Sequence, residues 1–222
     1  MPSLVERMRE APPVTQRARI FGFDPDIRTL GWAFIDITHQ AGIASRPLIE
    51  GVAQCGLIDA SIKHMKDFEQ AAVMAEAAVK HLSEYIGAGI PEYVVLEGQQ
   101  IYPDPDMPRG EIVAKANDMI ALMHVSGTLN GFWRTRPGVA VHTFKPAEWK
   151  GQRKKDVMHL DLARQYKDIP LRFSISNRTG EDRISDLTIG QSGNLPKFAG
   201  DALDALCMCV FGANRVAEGR WK

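Results

Sequence analysis

The run RIFGFDPDIRTLGWAFIDI, residues 19–37, decides how this chain is read. Arg19 to Asp24 is apolar and aromatic, the composition of a strand. Pro25-Asp26 marks a turn, and Gly31 to Ile37 supplies a second strand. After a loop of Gly, Ser and Pro, the segment GVAQCGLI from Gly51 to Ile58 gives a third. Separations this short favour antiparallel pairing among the three.

Beyond them the period changes. Met65, Phe68, Ala72, Ala75, Val79, Leu82 and Ile86 recur at steps of three and four, which predicts one face of an amphipathic helix over Ser61–Ile86. Gly87 and Gly89 stop it and Pro91 blocks its continuation. Tyr93 to Glu97 (YVVLE) reads as a buried strand ending in a carboxylate, and a second helix lies within Arg109–Leu129. Val139 to Phe144 is a fifth strand and Lys154 to Tyr166 a further helix. Ile169 to Lys197 is rich in Ser, Asn, Gly and charge without a clean period and reads as a loop-rich insertion. Asp201 to Phe211 closes the pattern as an apolar helix. The expected fold is α/β: a mixed five-stranded sheet, three antiparallel strands and then two parallel additions, flanked by helices. Residues 1–18 read as a flexible arm, 19–215 as one domain and 216–222 as a tail.

Composition narrows the class. At 222 residues, 45% hydrophobic and 24% charged, the chain can bury a core, and a disordered or collagen-like protein is excluded. No stretch approaches the roughly 20 apolar residues of a membrane span, and MPSLVERMRE lacks the apolar core of a signal peptide. Three cysteines supply no disulfide framework, so a reducing cytoplasm is expected. The six histidines show no zinc-ligand spacing. Lys+Arg and Asp+Glu balance at 27 each, so net charge names no partner.

Four acids stand out. Asp24 and Glu97 each end a mostly apolar strand, and sites in open α/β sheets form beyond the carboxyl ends of strands. Asp201 and Asp204 are three apart on the last helix, at the edge of its Leu203, Leu206, Cys207 and Val210 stripe. Plainer roles exist: Asp24 can hold a turn, Asp201 can cap a helix, and Asp204 can favour the helix dipole. Glu97 is harder to dismiss, since a charge concluding YVVLE is unusual in a buried strand. Carboxylates crowded away from water repel one another, and hard divalent cations relieve that repulsion. A pair of Mg²⁺ ions held by acids alone is the arrangement that hydrolyses phosphodiesters.

These residues resemble a family. GFDPDIRTLGWAFID looks like the first hairpin of RuvC-type Holliday junction resolvases, approximately G-I-D-P-G-x-R-x-x-G-x-x-x-I, with Asp24, Pro25, Arg28, Gly31 and Ile35 matching without a gap. LEGQQIY resembles the family's fourth-strand acid, Glu97 here, followed by Gln and an aromatic. GDALDALCMCV is similar to its terminal D-A-x-D-A-L-A helix, with Asp201 and Asp204 at the same spacing. KPAEWKG followed by Lys154 and Lys155 resembles its basic segment. The pieces keep the family's order over residues 19–213. The resemblance implies an RNase H-like fold and a homodimer making paired nicks in branched, four-way DNA. It also implies two Mg²⁺ ions per site, replaceable by Mn²⁺, on Asp24, Glu97, Asp201 and Asp204. The family's Gly after Asp-Pro is Asp26 here, so the turn forms without glycine or a further acid joins the site. The departures match a divergent phage or mobile-element member.

Between Phe132 and Lys155 the charged residues are Arg134, Arg136, Lys145, Lys150, Arg153, Lys154 and Lys155 against Glu148 alone. That asymmetry suits phosphate binding, with Lys150, Arg153, Lys154 and Lys155 the expected contacts. Trp133, Trp149 and Trp221 can stack on unpaired bases or pack in the core, whereas Trp32, within a strand, is expected in the core. The expected function is a metal-dependent, structure-selective DNA endonuclease that resolves four-way junctions. The alternatives are an RNase H-like or DNA-packaging nuclease acting on hybrids or flaps, and a non-catalytic junction-binding protein. A sugar-kinase-like ATPase would need Gly-rich phosphate loops that DPDIRTLG does not supply.

Overall fold

The computed structural model describes residues 15–40, 46–83, 92–98, 108–177, 182–195 and 199–221. Strands β1 (Thr15–Pro25), β2 (Thr29–Gln40) and β3 (Leu48–Asp59) form the expected antiparallel meander. β4 (Glu92–Glu97) adds parallel to β1, and β5 (Val139–Phe144) adds parallel to β4. The helices between them are α1 (Asp67–Leu82) and α2 (Arg109–Arg134). After β5 come α3 (Pro146–Trp149) and α4 (Lys155–Gln165). The last helix, α5 (Gly200–Ala217), carries the chain nearly to its end.

The segment expected to be a loop-rich insertion is instead an extension of the sheet. β6 (Pro170–Asn177) runs parallel to β3, with Ala53 opposite Leu171, and β7 (Asp182–Thr188) pairs antiparallel outside it. A short 3₁₀ helix over Ile189–Asn194 follows. The sheet therefore has seven strands rather than five, in the order β5-β4-β1-β2-β3-β6-β7. The missed signal is a short period of two: Leu171 and Phe173 are buried while Pro170 before them and Arg172 between them are exposed. The alternation stops at Ser174, which is buried next to Phe173, so the strand shows only a short run of that period. β1 begins at Thr15, inside the expected arm, and residues 1–14 lie outside the described residues.

Alternation along the central strands sorts side chains onto two faces. Phe21 and Phe23 of β1, Leu30, Trp32 and Phe34 of β2, and Val94 and Leu96 of β4 pack beneath α1 and α2. Ile20, Ala33, Ile35 and Val95 point to the opposite face, where α4 and α5 dock. Trp133 is fully buried against Phe21 and Phe23, with ring centroids 4.7 and 5.8 Å away. Trp149 is buried too, and Trp221 meets Tyr93 edge-on at 4.9 Å. The tryptophans left open between core and base stacking thus all pack within the protein. α1 buries Ala71, Met74, Ala75, Ala78 and Leu82, while Phe68 is 57% exposed and Ala72 faces solvent. The expected stripe is rotated because three small alanines let the helix lie close, which outweighs burying one large ring.

Candidate active site

Parity places the first two acids. Ile20 and Gly22 lie on the α5 face of β1, so Asp24 projects there as well. On β4, Val95 faces the same side, and so does Glu97 two residues on. Phe23 is paired with Leu96 in the parallel ladder, which makes Asp24 and Glu97 the next residues along neighbouring strands.

Two glycines let the other two acids approach. A Cβ on Gly31 would lie 2.2 Å from the carbonyl oxygen of Asp201, and one on Gly22 would lie 2.3 Å from that of Ala205. Gly31 sits opposite Asp24 in the β1–β2 register, so α5 rests on bare backbone directly beside Asp24. Cys209, one turn further along α5, holds its sulfur 3.4 Å from Ala33 O and 3.5 Å from Ile20 O. Burial pushes its thiol well above the ordinary value, so it stays neutral there.

The result is a cluster in which Asp24, Asp201 and Asp204 each offer a carboxylate oxygen, all within 4.8 Å of one another. Glu97 stands outside that triplet, yet its charge is felt at Asp24. Burial, then Glu97, Asp204 and Asp201, drive the Asp24 carboxyl well above the usual range. Burial raises Asp201 too, against the Lys155 ammonium. Asp204 is fully buried, which alone would raise it, but the hydrogen bond with His159 and the neighbouring Lys155 charge hold it below its ordinary value.

Basic groups converge from α3 and α4. Lys150 Nζ, at the end of α3, donates to Glu97 Oε1 at 3.3 Å. Lys155 opens α4, is ion-paired with Asp204 and lies 3.8 Å from Asp201 Oδ1. Burial opposes its charge, but Asp204, Asp24 and Asp201 outweigh that and push it up to about 12. His159 Nε2, one turn along α4, is 2.8 Å from Asp204 Oδ1. Sequence reasoning did not single out His159, although its i+4 spacing from Lys155 places both on one helix face. Arg153 is 4.0 Å from Asp161 and exposed, and Lys154 is exposed at the N-cap of α4.

Asp26 holds the β1–β2 turn. Its Oδ1 accepts from Arg28 N at 2.9 Å, and its own N donates to Thr29 O at 3.1 Å. Among the described residues only His64 is a non-glycine with positive φ, so this turn asks no left-handed residue of the chain. That is how aspartate replaces the glycine of the resembled motif. Gln99 to Tyr102, which continue the Glu97 motif, lie outside the described residues.

The donor set fits a divalent metal. It consists of oxygens only, and Asp204 Oδ2 is a buried carboxylate oxygen without an aligned hydrogen-bond donor, beside the Lys155 ammonium.

No protein-family model matches the chain, and no curated protein matches it in sequence. Solved structures do. RuvC from Thermus thermophilus in complex with a Holliday junction substrate matches at a TM-score of 0.53 and 14% identity, over 92% of this chain and 98% of that one. The yeast mitochondrial Holliday junction resolvase Ydc2 matches at 0.46 and 14%, over 97% and 85%. The Mn-soaked human cytomegalovirus terminase nuclease domain matches at 0.41 and 11%, over 94% and 88%. The first of these carries the comparison, and at such identity what is shared is the fold. The strand order β5-β4-β1-β2-β3, flanked by helices, is an RNase H-like fold shared with RuvC.

Proposed function

We propose that the chain is a divalent-metal-dependent endonuclease that resolves four-way DNA junctions by paired phosphodiester hydrolysis. The observation that carries this reading is the approach of Asp24, Asp201 and Asp204 to within 4.8 Å at the carboxyl end of a central strand. Asp24, Glu97, Asp201 and Asp204 are the residues that would hold two Mg²⁺ ions, with Mn²⁺ able to substitute. When bound, such ions promote attack of water on phosphorus and offset charge on the leaving oxygen.

The remaining residues bind and orient the substrate. Lys150 and Lys155 stand at the rim of the acid cluster, and exposed Arg153 and Lys154 extend the positive edge along the start of α4. Phosphates crossing this edge would be drawn toward the acids by charge and not by base sequence. Branched DNA as substrate is supported by the junction-bound RuvC neighbour and by the ordered motifs of the sequence. Symmetric cutting of a junction needs two sites at fixed separation, hence a homodimer. The surface best suited to join two copies combines Phe68 of α1 with Ile120 and Met123 of α2, which are 57%, 56% and 58% exposed.

The test is nicking of end-labelled four-way junction, linear duplex, flap and RNA–DNA hybrid by the purified chain. Each is run with Mg²⁺ and with chelator, beside the Asp24→Asn variant. Paired symmetric nicks confined to the junction, absent with chelator and in the variant, are expected. Cutting of flaps or hybrids instead overturns the substrate and keeps the metal site. Junction binding without cutting, by folded protein supplied with metal, overturns the catalytic reading.

A further inference from the structure

Two side chains of α4 share one buried acid, and they do so differently. Asp204 is fully buried, so the partners of its two oxygens are settled by its neighbours and not by water. His159 Nε2 is hydrogen-bonded to Oδ1 at 2.8 Å, and Lys155 Nζ is ion-paired with Oδ2. A carboxylate oxygen only accepts, so Nε2 is the ring nitrogen that carries the proton. Lys155 reaches further into the cluster. It lies 3.8 Å from Asp201 Oδ1, and its charge also acts on Asp24.

Lys155 therefore contacts two of the three carboxylates that come within 4.8 Å of one another, and acts on the third. It supplies the positive charge a cation would bring. Resting on the metal-dependent reading above, we infer that Lys155 is a resident counter-ion which a divalent cation displaces, whereas His159 is a positioning residue that stays on Asp204 through the exchange.

The two environments separate the roles. The Lys155 side chain is 49% exposed, stands at the first position of α4, and carries its charge on a flexible four-carbon stem. It can leave for solvent or for a substrate phosphate without moving the backbone. A divalent ion bound to Asp204 Oδ2 would need the place that the Lys155 ammonium now takes, so one excludes the other from that oxygen. The His159 side chain is only 19% exposed, and its short, stiff ring sits on the other oxygen. By occupying Oδ1 it fixes which way the carboxylate faces, as outer partners of metal ligands do.

The consequence is a pair of effects of opposite sign on one acid. Lys155→Met keeps the stem and removes the charge. Its metal-free form melts lower, because three crowded carboxylates lose their counter-ion, and Mn²⁺ binds more tightly by a factor on the order of ten. His159→Leu weakens Mn²⁺ by roughly 10- to 100-fold. Glutamine places an N–H where histidine Nε2 stands, and asparagine falls short of it. His159→Gln therefore retains near-native affinity while His159→Asn behaves as the leucine variant does.

The experiment is calorimetric titration of Mn²⁺ into the full chain and these four variants. Melting temperatures are measured with chelator and with saturating Mn²⁺, and circular dichroism confirms the fold of each variant. Tighter binding by Lys155→Met together with the Gln/Asn contrast at position 159 is the expected result. Weaker binding by Lys155→Met overturns the counter-ion role, since it makes Lys155 a support of the metal and not its competitor. Equal affinities for the Gln and Asn variants overturn the positioning role. If the unsubstituted, folded chain binds no Mn²⁺, the metal-dependent reading itself falls and the exchange with it.

Discussion

Replacing Gly31 by alanine adds one methyl group at the point where the last helix touches the sheet. The new Cβ would stand 2.2 Å from Asp201 O, short of the 3.4 Å at which ordinary contact begins by about 1.2 Å, and 3.0 Å from Ala202 N. Both obstacles are backbone atoms of α5, so no side chain can rotate away to make room. The helix must lift from β2 at its first turn. Overpacking of this kind costs about 1–3 kcal/mol. For a chain of this length that is a fall in melting temperature of roughly 2–12 °C. The larger effect is expected at the site, because Asp201 and Asp204 ride on the displaced turn while Asp24 stays on β1. A misplacement near 1 Å is worth about 100-fold in rate, and Mn²⁺ affinity should fall in parallel. Gly110→Ala is the control. Its Cβ meets nothing within 4 Å and it lies in α2, so it should be neutral or stabilising by up to about 1 kcal/mol. Thermal melts with chelator, Mn²⁺ titration and junction cleavage are compared for both variants. A Gly31→Ala protein that melts, binds Mn²⁺ and cuts like the unsubstituted chain would refute the claim that α5 rests on bare strand backbone here.

Other outcomes follow from the same geometry. Burial and the neighbouring acids hold the Asp24 carboxyl well above its unfolded value. The metal-free native state thus keeps a proton that the unfolded chain has lost, and its stability falls as pH rises from about 4 through the raised native value. Asp24→Asn should flatten that slope and raise the metal-free melting temperature at neutral pH; an unchanged slope on thermal melts across pH would contradict the crowding. Trp133→Ala removes a fully buried ring packed on Phe21 and Phe23 and should cost about 3–5 kcal/mol in denaturant unfolding. A loss below about 1 kcal/mol would show that this ring is not core. Ile120→Glu with Met123→Glu should turn a dimer into a monomer by sedimentation while leaving the melt of the monomer near native, since both side chains are more than half exposed. A dimer that survives both charges places the interface elsewhere.

How much of this was legible beforehand differs from element to element. β5 runs from Val139 to Phe144 as the sequence predicts, and α2 extends the expected helix by five residues beyond Leu129 to Arg134. Long periodic patterns name their element because burial follows period. The β6–β7 hairpin escaped because in β6 only Leu171 and Phe173 alternate with exposed neighbours before buried Ser174 interrupts the period, so composition said loop. The buried face of α1 escaped for a different reason. Pattern alone ranks Phe68 above Ala71 and Ala78, but a helix pressed against α2 is placed by what fits, and alanines fit closer.

The sequence by itself determined the hairpin around Asp24, the parity that turns Asp24 and Glu97 to one face, and the spacing that puts Asp201 and Asp204 on one turn of a helix. Each is a local consequence of backbone geometry, with periods of two and of 3.6 residues. Tertiary structure alone decided that those two pairs meet, since the contact depends on α5 descending onto Gly22 and Gly31 across some 170 residues of chain. It alone decided that Lys155 and His159 divide the oxygens of Asp204, because their partner sits on another helix and nothing in the spacing of α4 names it. Local periodicity is written in adjacent residues, whereas the charge, burial and approach that make a site come from atoms the chain brings together only after it has folded.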